Sequence, residues 1–123
     1  MSVRSWVVEN LDLPAEWVVI PEQRMPETIA KLTAVLKHGR IEPREGSVGQ
    51  LRHELTLSVF SPSANVATAE DDLDDAVTSV LTAVDAHERI SWSTAEKVIS
   101  PNEKYFGWDI TLSVLTDAEP EEA

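Results

Sequence analysis

The chain has 123 residues, 42% of them hydrophobic, no cysteine and a formal net charge of -12. That length holds one domain with a core of its own rather than two. The missing cysteines exclude a disulfide scaffold, a zinc ribbon and thiol catalysis, and make the cytoplasm the default compartment. The charge disfavours general affinity for a nucleic acid backbone, which depends on clustered Lys and Arg. The longest purely apolar run, Trp17 to Ile20, falls far short of the roughly 20 residues a membrane span takes, and the first ten residues lack a signal-type apolar core.

Taken in order, Val3, Trp6, Val7, Asn10 and Leu11 predict a short amphipathic helix ended at Leu13-Pro14, because the residue before proline avoids the helical region. Residues 16–22 read as a first strand, with β-branched Val18, Val19 and Ile20; Pro21 places it at an edge or stops it. Residues 26–42 suit two readings. Ile29, Leu32, Val35 and Leu36 recur at helical spacing with Pro26 as a first residue and Gly39 as a cap. A strand over 31–42 is preferred, because its basic end then runs through 43–50, with Gly46 and Gly49 as mobile points, and returns as a strand beginning near Leu51. The result is a long hairpin whose loop is longer than a tight turn.

Residues 53–86 hold the change of period around which the fold is built. Leu55, Leu57 and Val59 alternate with Glu54, Thr56 and Ser58, a strand burying one face, and Ser61-Pro62 stops it. Leu73, Val77, Val80, Leu81 and Val84 then form one stripe on a helix over 69–86, with Thr68 as the expected cap and an acidic first turn matched to the helix dipole. Residues 90–99 predict a strand with Ile90, Trp92 and Thr94 on one face. Phe106, Trp108, Ile110, Leu112 and Val114 predict a long or central one. The domain is expected over 1–116, with 117–123 a disordered acidic tail. The fold class is α+β: a mainly antiparallel sheet of four to five strands, two helices on one face, and a long hairpin between strands 2 and 3.

Charge is segregated along the chain. Lys31, Lys37, Arg40, Arg44 and Arg52 outnumber Glu42 and Glu45 in the hairpin, whereas Glu70, Asp71, Asp72, Asp74, Asp75 and Asp85 face no Lys or Arg between 69 and 86. One reading is ordinary solvated surface. The other is a head-to-tail contact in which Lys37, Arg40, Arg44 and Arg52 of one copy meet Asp71, Asp74 and Asp75 of the next.

Catalytic patterns are missing. His38, His53 and His87 lie in no metal-ligand spacing, and there is no phosphate-binding glycine loop and no nucleophile elbow. Asp71 and Asp75 share a helix face, which solvation and the dipole explain more simply than a metal. The four tryptophans fall at apolar phases and read as core anchors rather than a ligand cage. No catalytic residue, cofactor or metal is expected.

The stretches VLKHGRIEPREGSVGQLRHELTLSVFSP (35–62), AEDDLDD (69–75), ISWSTAEKV (90–98) and YFGWDITLSVLT (105–116) resemble the tail terminator (tail completion) proteins of long-tailed bacteriophages of the actinobacteriophage type. The resemblance covers nearly the whole chain to about Asp117 and also favours the strand at 31–42. It implies an α+β subunit forming a six-membered ring on the last ring of tail-tube protein, at the head-proximal end of the virion tail. That ring ends tube growth and meets a neck or head-completion protein, while DNA passes through its lumen unbound. On this reading Glu45, Gly46, Ser47, Val48, Gly49 and Gln50 are a docking loop ordered on the tube. The family carries no catalytic residues. Another neck ring protein, or a monomeric or dimeric protein-binding adaptor, is the alternative.

Overall fold

The computed structural model describes residues 3–21, 24–43, 49–63, 65–101 and 103–117. The chain runs α1 (Val3–Asn10), β1 (Val18–Ile20), β2 (Thr33–Pro43), β3 (Gln50–Phe60), α2 (Val66–Asp85), β4 (Ile90–Ile99) and β5 (Phe106–Asp117). The five strands form one sheet in the order β1-β2-β3-β5-β4. Only the β1–β2 pair is parallel; the other three are antiparallel. The α+β class and the long hairpin are as expected.

Period-two alternation settles what each face is made of. Following paired residues across the sheet, Leu36, Leu57, Ile110 and Ala95 make one row, and His38, Leu55, Leu112 and Trp92 the next. These rows face the helices. Val7 and Leu11 from the α1 end, and Leu73, Ala76, Val77, Val80 and Val84 from α2, close one core with them. Leu36, Leu55, Leu57, Ile110 and Leu112 are almost wholly shielded, and each such side chain contributes about 1.5–3 kcal/mol by leaving water. Both helices therefore lie on the same face. The alternate rows turn away from it: Lys37, Thr56, Thr111 and Thr94, then Arg40, Glu54, Ser113 and Ser91.

A second, smaller cluster covers the lower end of this polar face. Ile20, Val35 and Phe60 are buried there under Met25, Ile29, Val98 and Tyr105, and the Tyr105 hydroxyl accepts from the Ile29 amide at 3.0 Å. Gly107 pairs with Phe60. A Cβ at Gly107 would stand 2.4 Å from the Phe60 ring and 2.5 Å from the Val59 carbonyl oxygen, so only glycine lets the ring lie there. Ser100 is buried and its hydroxyl accepts from the Lys104 and Tyr105 amides, which pins the turn into β5.

Several details differ from expectation. The first strand shrinks from 16–22 to three residues at the sheet edge. The second helix begins at Val66, not 69, and its cap is Asn65 rather than Thr68: the Asn65 Oδ1 accepts from the Thr68 amide at 3.0 Å. Asparagine is the stronger cap, and the earlier start leaves no acidic residue in the first turn. The dipole explanation of the acidic stretch is thereby withdrawn. In β4 the register shifts between Trp92 and Thr94, and Ser93 is the extra residue. Thr94 accordingly faces away from Ile90 and Trp92, beside Thr111, whose hydroxyl is 3.3 Å from its own. Finally, β5 includes Asp117, paired with Gln50; residues 118–123 lie outside the described residues. No helix among the described residues is long and apolar enough to cross a membrane.

Candidate assembly surfaces

The hairpin of β2 and β3 carries most of the residues picked out by charge. Lys37, Arg40 and Arg52 project from the helix-free face, as register and pairing show. Arg44, Glu45, Gly46, Ser47 and Val48 lie outside the described residues. Gly49 has a φ of 83°, a left-handed conformation that glycine adopts without strain, and Gln50 is already the first residue of β3. Two arms of 11 residues each thus flank the expected docking loop.

The arm's cations are matched by its own carboxylates. An Arg40 Nη lies 2.7 Å from the Glu54 carboxylate, and its Nε 3.5 Å from that of Glu42. Arg52 donates to one Glu42 oxygen from Nη2 at 2.8 Å and Nε at 3.3 Å. The Arg52 hydrogen bond, then the Arg40 charge, holds the Glu42 carboxyl below the usual carboxylate range. These pairs are exposed, so each adds little to stability, yet they leave Arg40 and Arg52 with less unmatched charge than the sequence suggests. Lys37 is exposed and has no ion pair among the described residues.

Asp71, Asp74 and Asp75 are exposed on α2. They stand across the sheet from Lys37, Arg40 and Arg52, so the hairpin cations and the helix carboxylates do not meet within one subunit. Among the described residues Glu70 alone of this stretch has an ion pair, with Lys97 at 3.1 Å, whose ammonium also sits 5.9 Å from the centre of the Trp108 ring. Among the described residues no three His, Asp or Glu side chains converge as a cation site.

Sequence spacing missed one cluster. His38 and His53, in separate strands, approach to 3.1 Å between Nε2 and Nδ1, and the other His53 nitrogen lies 2.9 Å from the Thr116 hydroxyl. His53 is buried, and that burial, followed by the His38 charge, pushes its pKa down. Fifteen residues separate the two, and only the hairpin register brings them onto one face. The pair lies on the helix side, whereas the Ser58 hydroxyl that donates to Asp109 at 2.6 Å lies on the other. The sheet therefore stands between the two imidazoles and the Ser58 hydroxyl. Ser58 and Asp109 instead line a groove of about 440 Å³ with Lys37, Val35 and Phe60.

The tryptophans divide. Trp17 is buried, Trp6 packs edge-on against His87 with ring centres 5.3 Å apart, and Trp108 is covered by Lys97. Trp92 is 38% exposed. Ile41 is exposed on β2, also on the helix side of the sheet. No family model matches this sequence, and no curated protein matches it.

Proposed function

We propose that the protein is a tail terminator: a structural virion protein that forms a ring on the end of a phage tail tube, stops its growth and provides the joint to the neck. The observation that carries this reading is the β2–β3 hairpin. On its β2 arm Ile41 and Pro43 are exposed, whereas Leu36, farther down the same face, is buried. A hairpin arm tipped by a short connecting segment suits docking on a ring below, and the resemblance over 35–62 falls on this same arm. The partners on this reading are further copies of the chain, probed as a hexamer, the tail-tube protein and a neck protein. DNA would pass through the lumen of a protein with net charge -12, which offers phosphates little to hold. No cofactor or catalytic residue enters the reading.

Polymerisation of the cognate tail-tube protein tests it. Added protein should arrest tube growth and be found at one end of isolated tails by immunolabelling. Tubes of unchanged length reject terminator activity; label on filled heads rather than tails assigns the protein to the neck instead.

A further inference from the structure

We infer that copies of this chain join by continuing the sheet: β4 of one copy adds to the open upper edge of β2 of the next, with Trp92 of the first covered by Ile41 of the second. The inference rests on the ring reading for its head-to-tail arrangement and concerns which surfaces make that ring.

Four observations meet on it. First, the sheet has two unpartnered edges. β1 pairs with Thr33, Ala34 and Val35 only, so β2 has no outer neighbour from Leu36 to Pro43 among the described residues, and β4 is the last strand on the other side. Unpaired edges present rows of amide and carbonyl groups that another strand satisfies.

Second, direction matches. β2 runs opposite to β3, β5 opposite to β3 and β4 opposite to β5; β4 therefore runs opposite to β2. Repeating the subunit side by side places the two edges antiparallel, which preserves the alternation of the sheet across the joint.

Third, the edges match in height and shape. The row through His38, Leu55 and Leu112 ends at Trp92, and the row through Ile41, His53 and Val114 ends at Ile90. Each edge carries a bulge beside the same row: the register shifts between His38 and Arg40 on β2 and between Trp92 and Thr94 on β4. A bulge in one edge alone bends it away from a straight partner. Gly39 lies just above that row and Ser93 just below it, so both edges bend close to the same level.

Fourth, the side chains complement one another. Trp92 and Ile41 are 38% and 56% exposed, one on each edge and both on the helix side. Alone, each is an ordinary exposed apolar residue. On level edges they stand in adjacent helix-side rows, diagonal to each other and within reach for an aromatic and a β-branched side chain. Pairing β4 with its own copy leaves Ile41 uncovered and closes as a dimer.

The chain's lack of cysteine makes the test clean. The double variant Ile41→Cys, Trp92→Cys, treated with a short bismaleimide, should give a ladder of covalent multimers, and each single variant should give none above a dimer. Light scattering is run on the same samples, alone and with tail-tube protein. Rings without the ladder overturn the edge contact and leave the ring reading standing. No assembly in either condition overturns the ring reading and the contact with it, and a dimer alone assigns β4 to self-pairing and overturns the inference. As a second arm, Ile41→Lys and Trp92→Lys should each raise the assembly midpoint ~10-fold or more with an unchanged far-ultraviolet spectrum; assembly at the original midpoint rejects the contact.

Discussion

The lower and upper halves of the same sheet have different surroundings. Around Val35, Leu36, Leu57 and Phe60 the sheet is covered twice, by the helices on one side and by Ile20, Met25, Ile29 and Tyr105 on the other. From Lys37 upward the polar face is bare, carrying Arg40, Glu42, Arg52 and Glu54 in exposed ion pairs. Apolar burial scales with area removed from water, so stability concentrates in the lower half. The upper half keeps Leu55, Leu112 and Val114 buried on the helix side, but its other face is left free to make contacts.

That contrast breaks most readily at Leu57, which is 1% exposed in the doubly covered half. Leu57→Ala should cost about 2–5 kcal/mol in urea unfolding, whereas Ile41→Ala in the upper half should leave the monomer's midpoint unmoved. Equal losses would show that the two halves share the load. Gly107→Ala comes next, at about 1–3 kcal/mol, because the Val59 carbonyl oxygen is backbone and cannot swing aside as the Phe60 ring can. A thermal melt like that of the wild type would mean that β5 shifts freely at this point. Asn65→Ala, which leaves the Thr68 amide without its acceptor, should cost about 1 kcal/mol; a neutral result, set beside Thr68→Ala, would return the cap to Thr68.

The histidine pair sharpens the comparison through pH. Burial lowers the His53 pKa below the ordinary 6.5, so below that value the unfolded chain binds more protons than the folded one. Stability from this site is therefore complete above about pH 6.5 and is lost as pH falls through the depressed folded pKa. Urea midpoints measured from pH 7.5 downward should decline, and the decline should be shallower in His53→Asn. The smallest effect is expected at Arg40→Ala, where an exposed pair is lost. Its melting curve should overlay the wild type, and a clear drop would give the bare upper face a share in holding the monomer together.

Much of the architecture was legible from periodicity. Leu55, Leu57 and Val59 at period two, and Leu73, Val77, Val80 and Val84 at helical spacing, named the faces that meet in the core. The preference for a strand over 31–42 also held, although Ile29, Leu32, Val35 and Leu36 match a helix equally well. What separated those readings is pairing with β3, a nonlocal interaction that local spacing reports only indirectly. The cap was misplaced by three residues because Thr68 and Asn65 both carry suitable oxygens; the apolar stripe then lengthened to include Ala69, which is too small to stand out in a hydrophobic pattern. For the assembly surface, charge segregation led to Arg40 and Arg52 but hid their pairing with Glu54 and Glu42, since the partners sit on the neighbouring strand.

By itself, the sequence determined that 53–60 and 106–114 are strands and that 69–85 is helical, and which side of each is apolar, because both follow from the backbone's own repeat and the cost of leaving apolar side chains in water. Tertiary structure alone decided the register. It put the bulges at Gly39 and Ser93, turned Thr94 to the polar face, joined His38 to His53, and left Trp92 and Ile41 in adjacent helix-side rows on opposite edges. A one-residue slip reverses every side chain of a strand, and what prevents the slip is the packed rows of its neighbours.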